Sequence, residues 1–193
     1  MNNQTSVLTI FAGTNGAGKS TISKQMREYI GTVIDPDAIA REMNPLNPRE
    51  VDLAAGKEAV RRIRKLLSDK KEFAIETTLS GSFALRHMHL AKEQGYTIVL
   101  YYIGLEDVEM HIDRVASRVQ QGGHWIAESD IRWRYGQSLK NLIPAINISD
   151  KVFIIDNTLT SPIIIVESGH SRFKIMVSES PGWALPVIQL FNE

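Results

Sequence analysis

The feature that most constrains this chain is the stretch Gly13-Thr14-Asn15-Gly16-Ala17-Gly18-Lys19-Ser20, which satisfies the pattern G-x-x-x-x-G-K-[ST]. It follows an apolar run, Val7 to Ala12, that is typical of a buried strand, and it precedes a segment with apolar residues at helical spacing. Glycines let such a turn curl so that successive backbone N–H groups point inward, and the following helix directs its positive end at the same point. The sequence therefore predicts a phosphate-binding loop between a strand and a helix.

This predicted phosphate loop assigns roles to its last residues. We expect Lys19 to reach the β- and γ-phosphates of a nucleoside triphosphate, and Ser20 to supply a hydroxyl to Mg²⁺. The predicted nucleotide-binding set is Gly13, Thr14, Asn15, Gly16, Ala17, Gly18, Lys19, Ser20 and Thr21. Because such a loop is compatible with a kinase, a hydrolase that drives motion or a binding switch, the rest of the chain must decide between them.

Apolar segments alternate with helical ones along the chain. The sequence predicts further strands at 32–34, 73–75, 96–103 and 152–155, and helices at 19–29, 47–67, 82–94, 106–121 and 129–142. Strands separated by helices imply right-handed crossovers, so we predict a parallel sheet with helices on both faces, the three-layer α/β fold of kinase-type P-loop NTPases.

The C-terminal part has a different pattern. Residues 163–167 and 173–177 are expected to form a β-hairpin that is an appendage to the core, followed by an apolar tail. We therefore expect residues 1–157 to form the kinase core, and residues 158–193 to form a hairpin and tail packed on it.

Polar residues follow two of the predicted strands, where ligands bind in parallel α/β sheets. Asp35 and Asp37 come after the second strand, and Glu76, Thr77 and Thr78 after the third. One carboxylate can accept the proton of an acceptor hydroxyl while another holds Mg²⁺ or fixes substrate hydroxyls, and we assign the general base to Asp37. If the segment is extended, Asp35 and Asp37 point in opposite directions and only one faces the nucleotide, and Asp35 alternatively caps the next helix.

A segment rich in arginine, residues 114–134, is predicted to form a helical lid. It carries Arg114, Arg118, Arg132 and Arg134 around two adjacent glycines that would serve as a hinge. We predict that Arg118 and Arg134 contact the transferring phosphoryl group, and Arg114 and Arg132 are the next candidates for that contact. For any single arginine, an ordinary ion pair with a nearby carboxylate remains the alternative.

Composition limits the partners. The 22 Lys and Arg residues balance the 22 Asp and Glu residues, so the chain lacks the long-range field expected of a protein that binds nucleic acid or an anionic membrane. The chain has no Cys, which excludes a disulfide framework, a thiolate metal site and a cysteine nucleophile. No apolar run has the length of a signal peptide or a membrane span, so we expect a cytoplasmic location.

Taken in order, the phosphate loop, the Ile34-Asp35-Pro36-Asp37 turn, the Ile75-Glu76-Thr77-Thr78 turn and the arginine lid resemble the zeta toxin family of P-loop kinases, over about residues 7–157. The resemblance implies transfer of the ATP γ-phosphate to a hydroxyl of UDP-N-acetylglucosamine, a toxic reaction that a protein antitoxin blocks. It also implies phosphate binding by Lys19, catalysis by Asp37 as base, and substrate binding by Glu76 and Thr78.

The chain departs from the family pattern on the acceptor side. The family has D-x-D-x-F-R, but here Ile39 replaces the aromatic residue and the nearest arginine, Arg41, is one place later. The family has E-G-T, but here Thr77 stands where glycine allows a close approach. We expect a substrate-binding set of Asp35, Arg41, Glu76 and Thr78, with a nucleotide sugar as the first acceptor. Another metabolite, nucleoside or antibiotic acceptor, or a nucleotide-dependent ATPase switch, is the alternative.

Overall fold

The computed structural model of the chain describes residues 5–169 and 172–191. Within these residues seven strands form one sheet: β1 Val7–Ala12, β2 Thr32–Ile34, β3 Phe73–Thr77, β4 Thr97–Gly104, β5 Lys151–Asp156, β6 Ile163–Gly169 and β7 Arg172–Ile175. The α-helices are α1 Lys19–Gln25, α2 Arg27–Ile30, α3 Pro36–Met43, α4 Asp52–Ser68, α5 Ser82–Glu93, α6 Val108–Gln120, α7 Glu128–Ile148 and α8 Leu185–Leu190. Short 3₁₀ helices lie at Pro48–Val51 and Gly182–Ala184.

The sheet has the strand order β2-β3-β1-β4-β5-β6-β7. The first five strands in that order are parallel, and their pairing aligns their carboxyl ends, with Ile34 opposite Ile75 and Ala12 opposite both Thr77 and Tyr102. The segments that follow these strands therefore meet along one edge of the sheet. This edge is where the phosphate loop and the predicted carboxylates lie.

Apolar side chains on both faces of the sheet explain why the central strands form. Leu8 and Ile10 of β1 are buried in one core cluster, with α4, α5 and the second half of α7. Phe11 is buried in a second cluster with α1 and α2. Because neighbouring residues of a strand point to opposite faces, β1 is buried on both sides, as parallel strands usually are. The predicted α/β fold with a mostly parallel sheet is confirmed.

The predicted helices differ from the observed ones at their ends. The first breaks at Met26 into α1 and α2, and the second begins with a 3₁₀ turn at Pro48 before α4 starts. The last predicted helix continues past Pro144 to Ile148. An eight-residue helix, α3, begins at Pro36, where the sequence left an extended segment and a helix capped by Asp35 as alternatives.

The predicted C-terminal hairpin is present, but it continues the sheet instead of standing apart as an appendage. β6 pairs antiparallel with β5, and β7 pairs antiparallel with β6, while residues 170 and 171 lie outside the described residues. In the tail, Trp183 is buried against Gly104, its Nε1–H donates to Asp156 Oδ1 at 3.2 Å, and Leu185 is half exposed. Across the described part of the chain, helices are too short or too polar to span a lipid bilayer.

Candidate active site

The phosphate loop begins directly after β1 and ends in the first turn of α1. Gly13 and Gly16 have φ values of +142° and +83°, which are accessible to glycine and strained for other residues. A Cβ atom at Gly16 would lie 2.6 Å from the carbonyl oxygen of His111 in α6. The glycines of the motif therefore serve both the curl of the loop and the close packing of α6 against it.

Lys19, the motif lysine, is 8% exposed and its Nζ donates to the Thr14 carbonyl at 3.2 Å across the loop. Burial lowers the pKa of Lys19 from its ordinary value, and the nearby carboxylates of Glu76, Asp37 and Asp35 oppose that shift. The Lys19 ammonium group and the backbone N–H groups of the loop are the features of this site that suit it to a phosphate group.

A cavity of about 570 Å³ opens in front of the loop at the carboxyl edge of the sheet. From the predicted nucleotide-binding set, its wall includes Asn15, Gly16, Gly18, Lys19, Ser20 and Thr21, while Gly13, Thr14 and Ala17 are buried. From the other predicted sets, the wall includes Asp35, Asp37, Arg41, Glu76, Thr78, Arg114, Arg118 and Arg134. Residues from five separate parts of the sequence thus converge on one space.

The two aspartates lie at the start of α3, not in an extended segment. Asp35 is the N-cap and its Oδ1 accepts a hydrogen bond from the Asp37 backbone N–H at 3.0 Å, while Pro36 occupies the first helical turn. The expectation that only one aspartate faces the nucleotide is therefore wrong, because the helical turn brings both to the cavity wall. The capping role of Asp35, which the sequence left as an alternative, is observed.

Asp35 is poorly solvated and lies among other negative charges. Its side chain is 19% exposed and its Oδ2 is 3.5 Å from Arg41 Nη2. Burial, together with the negative charges of Glu76 and Asp37, raises the pKa of Asp35 from 3.8 to about 6, although Arg41 and the cap hydrogen bond act in the opposite direction. Asp37 is the more exposed of the two and lies in the first turn of α3, where the helix dipole favours negative charge.

Glu76 faces the serines of α1. Its Oε1 accepts a hydrogen bond from Ser20 Oγ at 2.5 Å, and its Oε2 accepts from Ser23 Oγ at 3.1 Å. Both carboxylate oxygens of a residue predicted to bind the acceptor therefore hold the helix of the phosphate loop.

The donor set near Ser20 is suited to Mg²⁺, which prefers oxygen ligands and keeps several water or phosphate oxygens. A hydroxyl and a carboxylate lie side by side at the cavity, and the described residues contain no cluster of three or more His, Cys, Asp or Glu that could hold a metal ion by itself. The residues present thus fit an ion that takes most of its ligands from bound phosphates and water.

Three of the four lid arginines line the cavity. Arg134 Nη1 donates to Asn15 Oδ1 at 3.0 Å, and Arg118 Nη2 donates to a backbone carbonyl of the lid at 3.2 Å. Arg114 Nη2 donates to the Asn157 carbonyl at 2.7 Å, directly after β5. Arg132 instead forms a bidentate ion pair with a glutamate of α6 on the exterior. It therefore does not line the cavity, although the sequence made it a candidate for phosphoryl contact.

The lid helices have their own small apolar cluster, formed by Ile112 and Val115 of α6 with Ile126 and Ile131. Arg49, from the 3₁₀ helix Pro48–Val51, reaches across to this segment. Its guanidinium lies 5.4 Å from the centre of the Trp125 ring, and it is 3.7 Å from Asp130. The lid segment therefore touches both the phosphate loop and the segment that follows α3.

The turn after β3 contains Thr77, the residue that stands where the family pattern has glycine. Thr77 Oγ1 accepts a hydrogen bond from the Leu79 N–H at 3.0 Å, and Leu79 has a left-handed φ of 56°. Thr78 Oγ1 lies 2.8 Å from Ser80 Oγ. Thr77 thus shapes the turn after β3, and both Thr77 and Thr78 line the cavity.

Several residues of the site were not predicted from the sequence, among them His111, Asn157 and Trp133. His111 and Asn157 bond to loop carbonyls, and Trp133, although 59% exposed, lines the cavity. Signals for two of them were available: His111 lies at i−3 and i−7 from Arg114 and Arg118 on the same helix face, and Asn157 directly follows a parallel strand.

Comparison with known protein sequences gives a relative but no family model. No protein-family model matches the chain. An uncharacterized protein of Haemophilus influenzae is 41% identical over 125 residues, which cover 65% of this chain and 89% of that protein.

Two solved structures share the fold. A chain of the AvrRxo1-ORF1:-ORF2 crystal structure with ATP matches with a TM-score of 0.73 and 13% identity, over 100% of this chain and 65% of that one. This chain therefore spans slightly less than two thirds of the AvrRxo1 chain. A chain of the PezAT toxin-antitoxin system of Streptococcus pneumoniae matches with a TM-score of 0.68 and 16% identity, over 99% and 80% of the two chains. The resemblance to the zeta toxin family is confirmed at the level of the fold.

Proposed function

The chain belongs to one family with the Haemophilus influenzae protein, and we propose that it is a kinase that transfers the γ-phosphate of ATP to a hydroxyl group of a small molecule. The observation that carries the proposal is the composition of the single cavity wall. A phosphate loop with its lysine, a group of carboxylates and four arginines face the same space of about 570 Å³. An ATPase that drives motion also needs a phosphate loop, but its nucleophile is water, so it does not need a cavity lined by several carboxylates beside that loop for a larger acceptor.

The proposed reaction is an in-line displacement. The acceptor hydroxyl gives its proton to Asp37, its oxygen bonds to the γ-phosphorus, and the bond from that phosphorus to the β,γ-bridging oxygen breaks to release ADP. The loop amides and Lys19 hold the β- and γ-phosphates, while Arg118 and Arg134 offset the charge that spreads over the transferring group. When bound, Mg²⁺ supplies neutralisation of the phosphate charge, and Ser20 together with Glu76 would hold it.

For the acceptor, we propose a nucleotide sugar, with UDP-N-acetylglucosamine first. Support comes from the resemblance to the zeta toxin family and from the shared fold with a chain of a toxin-antitoxin system. On the same grounds we propose a toxic activity that a protein antitoxin blocks. Arg41, held at 3.5 Å from Asp35, and Thr77 in the turn after β3 differ from the family pattern, which favours testing other hydroxyl-bearing acceptors alongside.

The test is a transfer assay with γ-labelled ATP, Mg²⁺ and a panel of nucleotide sugars, nucleosides and small alcohols, with products identified by mass spectrometry. We expect one acceptor to gain a phosphoryl group with the wild-type protein. Asp37→Asn should abolish transfer and keep ATP affinity, whereas Asp113→Asn, at an exposed position of α6, should leave both unchanged. ATP hydrolysis that depends on a protein partner and on no small molecule would contradict the proposal and favour a nucleotide-dependent switch.

A further inference from the structure

His111 of α6 contacts the tip of the phosphate loop from behind. Its side chain is 1% exposed, and its Nδ1 lies 2.8 Å from the carbonyl oxygen of Asn15. A carbonyl oxygen only accepts hydrogen bonds, so the geometry assigns the proton to Nδ1. The imidazole therefore donates to the loop.

This hydrogen bond fixes the orientation of one peptide group. In a trans peptide, such as the one that joins Asn15 to Gly16, the C=O and N–H bonds point in opposite directions. With the Asn15 carbonyl turned toward His111 in α6, the Gly16 N–H is turned away from α6. Gly16 lines the cavity, so this N–H is directed to the side where phosphate oxygens would bind.

The surroundings of His111 keep it neutral and in place. Burial lowers the pKa of His111 to about 4, and the positive charges of Lys19 and Arg114 act in the same direction. The ring packs edge-on against Tyr135 of α7, with 5.4 Å between ring centres. A neutral, buried donor adds no charge to the anion site, so its effect on the loop is one of orientation.

A second donor orients another peptide group of the loop, the one that joins Ala17 to Gly18. Asn157 Nδ2 donates to the Ala17 carbonyl at 2.8 Å, which turns the N–H of the following residue, Gly18, in the opposite direction. Arg134 meanwhile bonds to the side chain of Asn15. Two alternate carbonyls of the loop are thus held from outside, one from α6 and one from the end of β5.

We infer that His111 is a positioning residue for the phosphate loop: its Nδ1–H orients the Asn15–Gly16 peptide so that the Gly16 amide faces the bound triphosphate. The inference rests on the proposed function, because it requires that the loop binds a nucleoside triphosphate. It adds a residue that touches neither substrate and acts through the main chain of the loop.

The test compares three substitutions by calorimetric titration with Mg·ATP. His111→Leu removes the donor and keeps an apolar group of similar size. His111→Asn places an amide N–H near the position of Nδ1, whereas His111→Gln carries its amide farther out. We expect His111→Leu and His111→Gln to bind Mg·ATP about tenfold more weakly, which corresponds to ~1.4 kcal/mol, and His111→Asn to stay within about twofold of the wild type.

Melting temperature without nucleotide separates positioning from structural support. If affinity follows the position of the donor while the melting temperatures of His111→Asn and His111→Gln agree, the inference holds, and this comparison stands even if His111→Leu fails to fold. Equal Mg·ATP affinity in all folded variants, or an equal loss in His111→Asn and His111→Gln, overturns it. A wild-type protein that binds no Mg·ATP would overturn both the proposed function and this inference, whereas wild-type binding with unchanged variants overturns the inference alone.

Discussion

Replacing Asp35 with Asn is expected to stabilise the folded protein at pH 8. Its pKa rises from 3.8 to about 6 on folding, a difference of about 2 units, and each unit corresponds to ~1.4 kcal/mol, which gives an unfavourable contribution of ~3 kcal/mol once the group is ionised in both states. The cause is burial beside Glu76 and Asp37. Because Asn also caps helices well, Asp35→Asn should keep the cap hydrogen bond to the Asp37 N–H.

The sign of the pH dependence follows from the direction of the shift. An acid whose pKa is raised on folding stabilises the folded state when it is protonated, and this stability is lost as the pH rises from about 4 through about 6. Asp35→Asn lacks this loss. The shift of the Asp35 pKa already includes the opposing effect of the half-exposed Arg41, so the net gain expected at pH 8 is ~3 kcal/mol, with a gain near zero at pH 4.

The assay is urea unfolding followed by circular dichroism at pH 4, 6 and 8. Asp113→Asn is the control for removal of one carboxylate at an exposed position, and its unfolding free energy should stay within ~0.5 kcal/mol of the wild type. A variant Asp35→Asn that is less stable than the wild type at pH 8, or a difference that does not vary with pH, would refute the electrostatic reasoning.

Three further predictions concern other parts of the molecule. Glu76→Gln should weaken Mg·ATP binding about tenfold in calorimetry, because an amide nitrogen cannot accept the hydrogen bond that a serine hydroxyl of α1 donates to Glu76. Unchanged affinity would argue against a role of Glu76 in holding α1. Arg134→Lys should lower kcat about a hundredfold, because Arg134 lies at the phosphate loop. Arg132→Lys should change kcat less than about twofold, because Arg132 pairs with a carboxylate on the exterior. Equal effects of the two substitutions would refute the role of Arg134 in phosphoryl transfer. Trp183→Ala should lower the unfolding free energy by ~3–5 kcal/mol in urea because it empties a buried site. Leu185→Ala, at a half-exposed position, should cost much less, and similar losses would contradict the packing described for the tail.

The sequence predicted the parts of the site that depend on local pattern. The glycines and lysine of the phosphate loop have a spacing that few other structures require, and the alternation of strands and helices places whatever follows each strand at one edge. Lys19, Asp37 and Glu76 meet at the cavity for that reason. Their chemical roles remain predictions until they are tested.

Other features depended on packing that a sequence does not display. Arg132 and Arg134 lie two positions apart, so they face different sides of one helix, and only the rotation of α7 on the core decides which one reaches the phosphate loop. His111 and Asn15 are 96 positions apart, and their contact follows from how α6 packs against the loop.

The start of α3 is a different case, because its signal was local and present. An aspartate followed by a proline is a common N-cap and first-turn pair, but the sequence analysis left an extended segment open as well. The observed cap at Asp35 shows that the helix signal prevailed over the extended one.

The central claim is that residues 13–20 bind the phosphates of a nucleoside triphosphate. Calorimetric titration of the folded protein with Mg·ATP tests it most directly, with Lys19→Met as the variant that lacks the motif lysine. We predict saturable binding of one ATP per chain to the wild type and its loss in the variant. Correctly folded wild-type protein that gives no heat with Mg·ATP or Mg·GTP would contradict the account.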